Sequence, residues 1–184
     1  MPIPERLQIT KATPKLVARM CELCDQIERE LESGEDALPL LAEWHRHARR
    51  QCEPYEFANY WRSTDQVQFV REALSPPPSF LDDLKYADAL AVLESIMKAE
   101  LVEWQTSYYL CWLEEQFPEA NMSDLIFWPD EWFGDPSLFR DEAGRFKPEA
   151  ELSSDQVLAY AMAKSGRSLP DRPDSVSLPF PMPG

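Results

Sequence analysis

Seventeen prolines and only five glycines divide this chain of 184 residues into short segments. A proline inside a helix removes a hydrogen bond and clashes with the preceding turn, so helices must start and stop around the prolines. Apolar residues recur at steps of three and four between them, which is the helical period.

Thr13-Pro14 has the form of an N-cap followed by proline at the first helical position. Leu16, Val17, Met20, Leu23, Cys24, Ile27 and Leu31 then share one face, and Gly34 ends the segment. A second helix is expected from Leu38 to Arg50, with Leu38, Leu41, Trp44 and Ala48 inward and Arg46, Arg49 and Arg50 favourably placed in its last turn. A shorter one covers Pro54 to Trp61. Ser63-Thr64-Asp65-Gln66 spells a capping box ahead of Val67, Phe69, Val70 and Leu74, and the Pro76-Pro77-Pro78 run stops that helix.

The longest helix is predicted from Asp83 or Tyr86 to Phe117, along Leu90, Leu93, Met97, Leu101, Trp104, Tyr108 and Cys111, with Pro118 closing it. At 1.5 Å per residue it would reach about 45 Å and form the spine of the fold. Leu138 to Phe146 reads as a small β-hairpin with Gly144 at its tip. A second capping box, Ser153 to Gln156, opens a last helix that Gly166 caps. The expected fold is all-α: five to six helices around a long central helix, an irregular aromatic and hairpin subregion, and a proline-rich tail. Residues 1–168 would form one helical domain, and 169–184 an extended or disordered tail.

Charge narrows the functional classes. Thirty-three acids against 18 bases give a formal charge of −15, a field that repels nucleic acid and anionic lipid and attracts basic proteins. The opening MPIPERLQIT has no apolar core of a signal peptide, and no run reaches the roughly 20 apolar residues of a membrane span. A cytoplasmic protein with four reduced cysteines is expected.

The charge is also segregated. From Lys98 to Arg140 no other Lys, Arg or His occurs, while nine carboxylates and ten aromatic rings do. Within that stretch Trp128, Asp130, Glu131, Trp132, Phe133 and Asp135 interleave rings and acids on a proline-braced loop. Aromatic anchors with an acidic rim suit a basic protein partner. Glu103, Glu114 and Glu115 on the long helix would extend the same surface.

Motifs for chemistry are sparse. Cys21-x-x-Cys24 falls inside an amphipathic helix with no second cysteine pair, so core packing explains it better than zinc. His45 and His47, the only histidines, are two residues apart and point to opposite helix faces. No Glu-x-x-His, Gly-rich phosphate loop or Gly-x-Ser-x-Gly elbow is present. No metal or cofactor site is predicted.

The expected function is therefore a non-enzymatic acidic binding module. Its physical logic is that of a bacterial immunity protein or antitoxin that blocks a basic toxin's active or nucleic-acid-binding site. A chaperone or adaptor for a secreted effector or machine component is the first alternative, recognisable by an exposed apolar groove. A metal-dependent helical-bundle enzyme is the second. On the first reading, charge reversal at Asp130, Glu131 and Asp135 together should weaken partner capture without unfolding the chain, as a binding assay run beside a melting curve would show.

Overall fold

A computed structural model describes residues 2–183, and among them the chain is predominantly helical, with no strand. The helices are α1 (Pro14–Ser33), α2 (Leu38–His47), α3 (Pro54–Phe57), α4 (Gln66–Leu74), α5 (Tyr86–Met97), α6 (Glu103–Gln116), α7 (Met122–Phe127), α8 (Pro129–Phe133), α9 (Pro136–Phe139) and α10 (Ser154–Ser165). No helix among the described residues is long and apolar enough to cross a membrane.

Proline starts helices here as often as it stops them. It occupies the first or second position of α1, α2, α3, α8 and α9, where its missing N–H would have had no partner anyway. Two of the predicted caps form. Thr13 accepts the Leu16 N–H at 3.3 Å, and Ser153 and Gln156 cap each other reciprocally. Gly34 and Gly166 adopt the left-handed conformation that ends α1 and α10.

The capping box at Ser63 does not form. Asp65, two residues later, takes the N-cap and accepts the Gln68 N–H at 2.9 Å. α2 also ends earlier than its sequence suggests. Ala48 turns extended, and the next amide, Arg49, donates to Ala73 O at 2.7 Å.

The single long helix is corrected to two, α5 and α6. Ala99 sits at φ 52°, its N–H bonding Ile96 O at 2.9 Å, and the Glu100 N–H reaches back to Ser95 O at 3.0 Å. These are the paired bonds of a Schellman cap, with alanine where glycine is usual. Val102 then re-enters α6 from an extended conformation. Apolar periodicity continues across the break, so it could not be read from the pattern. The predicted hairpin likewise reduces to one antiparallel bridge, Arg140 to Phe146. Its turn is organised by Asp141, whose Oδ1 accepts the Ala143 and Arg145 N–H groups at 2.9 Å each.

The chain separates into two compact units. The amino-terminal unit comprises Gln8–Pro77 with Glu103–Tyr108. Its core gathers Met20, Leu23, Ile27, Trp44, Phe57 and Phe69. The three rings meet edge-on or stacked at centroid distances of 4.9 to 5.7 Å.

The carboxy-terminal unit comprises Met1–Leu7, Pro78–Val102 and Tyr109–Gly184. α10 packs on α5 and α7. Gln116, fully buried, donates to Ser79 O at 2.8 Å and accepts the Leu81 N–H at 3.0 Å. Arg167 follows α10, donates to Gln116 O and to Leu81 O, and lies 4.1 Å from the Phe80 ring. Burial lowers the Arg167 pKa, as expected for a guanidinium held by carbonyls and rings instead of a carboxylate.

A left-handed alanine costs about 1 kcal/mol that glycine does not bear. Ala99→Gly should therefore raise stability by about 0.5–1 kcal/mol, visible as a higher denaturation midpoint with unchanged slope.

Candidate functional site

The loop singled out by sequence folds as three short helices in succession, α7, α8 and α9. Trp128, between α7 and α8, leaves helical geometry at φ −135° and ψ 53°. Pro129 starts α8, Gly134 ends it in the left-handed region, and Asp135 caps α9 by accepting the Ser137 N–H at 3.0 Å. In α8 the helical period puts Asp130 and Phe133, three residues apart, on the inward face and Glu131 on the outward one.

The inward group includes Phe133, which meets Tyr160 edge-on at 4.9 Å and Phe139 at 5.3 Å. Trp132 is half-buried, with its ring 5.8 Å from Tyr160 and its indole N–H donating to Ala120 O at 2.7 Å. Asp130 is only 4% exposed. Its Oδ2 accepts from Arg140 Nε at 2.5 Å, and Oδ1 has no partner among the described residues. The Arg140 guanidinium also lies 4.6 Å from the Phe146 ring. The first cation after the base-free stretch is thus turned inward.

Trp128 (51% exposed) and Phe127 (44%) are left outside, together with exposed Glu131 and Asp135. Glu115 on α6 is exposed as well. Glu114 is half-buried and accepts the Ser123 N–H at 3.1 Å, so it helps to start α7. Glu103 is exposed but belongs to the amino-terminal unit.

The predicted contact set is corrected accordingly. Asp130 and Phe133 are interior residues, and Trp132 is a bolt between α8 and Ala120. Arg140 lies ten residues beyond Asp130, and ring orientation depends on Tyr160, so neither was visible locally. Trp128, Glu131, Asp135 and Glu115 keep their outward placement. Among the described residues, none of these three acids forms an ion pair with a cation of the chain.

Sequence reasoning overlooked a groove of about 510 Å³ beside Trp128. Phe127, Pro129, Phe146 and Leu152 line it, with Lys147 and Glu151 as its charged residues. Phe127 belongs to the aromatic run, but Phe146 reaches the groove only because the Asp141 turn folds it back.

Groups that carry chemistry elsewhere are occupied structurally. His45 Nε2 accepts the Cys52 N–H at 3.2 Å. Burial raises the Cys52 thiol pKa and pushes Cys24 up to about 12, so both stay protonated in neutral solution. Among the described residues no three His, Cys, Asp or Glu side chains cluster closely enough to hold a metal ion. No protein-family model matches this chain, and neither the curated proteins nor the solved structures contain a significant match.

The inward pairing predicts that Asp130→Lys destabilises the fold by about 2–3 kcal/mol, because it buries a cation against Arg140. Glu131→Lys, on the exposed side of the same helix, should stay within about 0.5 kcal/mol of the parent. Parallel denaturant melts of the two variants would check this contrast, which revises the triple charge reversal expected from sequence.

Proposed function

We propose that this protein is a non-enzymatic binding protein that neutralises a basic protein partner in the cytoplasm, in the manner of an immunity protein or antitoxin. The observation that carries the reading is charge left unspent beside an exposed indole. Glu115, Glu131 and Asp135 are exposed and, among the described residues, have no ion-pair partner, while Arg140 is committed to Asp130. Uncompensated carboxylates raise the rate at which a cationic surface docks, and a tryptophan at the contact supplies much of its lifetime. A nuclease or other phosphate-binding toxin presents such a surface, because its own substrate is anionic. The same field opposes direct binding of nucleic acid.

One feature favours a second reading. The apolar groove along Phe127, Pro129 and Phe146 would also suit a chaperone or adaptor holding an apolar segment of an effector. The two readings differ in salt response. Electrostatic capture weakens as salt rises, whereas apolar capture does not.

The test uses affinity capture with the full chain, followed by kinetics on the retained protein. Between about 50 and about 500 mM salt the association rate should fall at least about tenfold. Glu115→Lys with Glu131→Lys should reproduce much of that fall at low salt. Trp128→Ala should act chiefly on dissociation, at a cost of about 2 kcal/mol. A captured protein that is acidic, or that binds the charge-reversed variant as fast as the parent, refutes the proposal. If salt-insensitive binding is lost on Phe127→Ala, the adaptor reading takes its place.

A further inference from the structure

After α10 the chain turns at Pro170-Asp171, where Asp171 sits at φ 60°, and returns across its own unit as an irregular segment with prolines at 170, 173, 179, 181 and 183. Its attachment is sparse. At the near end the Tyr86 N–H donates to Pro170 O at 3.2 Å. The stretch Arg172 to Val176 then borders a gap of about 430 Å³ above Ala159, Met162 and Gly166. Contact resumes where Gln156 Nε2 donates to Ser177 O at 3.0 Å.

The far end is held by one side chain. Phe180 enters a cradle of rings, 4.9 Å from Phe139 and 5.7 Å from Phe133, both near edge-on. Its neighbours Leu178 and Met182 remain 37% exposed, and Pro179 and Pro181 face outward. Prolines carry no N–H, so Phe180 has the only backbone donor between Leu178 and Met182. Tyr160 satisfies both main-chain groups of that residue. Its hydroxyl donates to Phe180 O at 2.6 Å and accepts the Phe180 N–H at 3.0 Å.

Tyr160 is itself buried, and its recorded hydrogen-bond partners lie on this tail. Without the tail that hydroxyl would have to bond water in place of the two main-chain groups it now meets. A single aromatic anchor at a bend over Pro179 and Phe180, its backbone read by a side chain and its neighbours' φ fixed as prolines, presents the components of proline-rich peptide recognition.

We propose that the Phe133, Phe139 and Tyr160 cradle is a binding site for an aromatic residue flanked by prolines on a partner protein, and that Phe180 of the chain's own tail occupies it in cis. A tether of this length holds the tail at an effective concentration in the millimolar range. The intact protein is therefore closed to weak competitors and opens to a ligand that is tighter or multiply attached.

The probe is a fluorescent peptide with the sequence of residues 175–183, followed by anisotropy against full-length protein. Phe180→Ala should bind it at least tenfold more tightly than the parent, because the cradle is vacated. Adding Tyr160→Phe to that variant should reverse most of the gain. As a second test, a protease site placed within 172–175 allows the tail to be cut with every residue present. The nicked protein should stay folded and exchange its own tail for the labelled peptide. Failure of Phe180→Ala to bind better than the parent would overturn the proposal. So would unfolding on nicking, which would make the tail part of the core. A tail-exchanged dimer of the intact protein would overturn closure in cis.

Discussion

The packing of Phe133 against Tyr160 and Phe139 governs the arrangement of the carboxy-terminal unit. Tyr160 is presented by α10, Phe133 by α8 and Phe139 by α9, and Phe180 joins them from the tail. Each ring removes a large apolar area from water, and edge-on contact adds a directional term that fixes how the short helices are turned. Helices of four to six residues have no independent stability. α8 and α9 persist because their inward rings share this cluster, and α7 because Met122 and Leu125 are buried. Once Phe133 is inside, helical geometry leaves Trp128 and Glu131 outside.

The second consequence is electrostatic. The cluster brings the Arg140 segment beside α8, where the guanidinium meets a carboxylate that burial has removed from water. Pairing Asp130 with Arg140 avoids the large cost of an isolated buried charge. It also commits Arg140 to the interior, and the exposed Glu115, Glu131 and Asp135 form no ion pair among the described residues. The surface proposed to meet a basic partner is in this sense a by-product of how the interior is neutralised. The same rings that orient the acidic face hold the proline-rich tail, so two proposed interactions rest on one aromatic core.

Much of the helical layout was legible in the sequence. Thr13-Pro14, Gly34, Ser153-Gln156 and Gly166 mark helix ends through interactions within four or five residues, and such signals are local by nature. The failures share the opposite character. The Ser63 box lost to Asp65 because either residue could cap, and packing chose between them. Ala99 ended α5 although nothing in its side chain asks for a left-handed backbone. Asp130 reads as a surface acid in an acid-rich loop until Arg140 is folded onto it. Each outcome was decided by a residue distant in sequence or by a choice among near-equal local options.

The sequence by itself determined the class of structure and its charge. Helical periodicity interrupted by proline leaves few alternatives to an all-helical chain, and an excess of carboxylates requires no folding to be known. Only the tertiary structure decided which rings and which acids face water, because a side chain's exposure depends on neighbours the chain brings together from afar. That is why a loop read as one uniform contact surface resolved into an inner half, Asp130, Trp132 and Phe133, and an outer half, Trp128, Glu131 and Asp135.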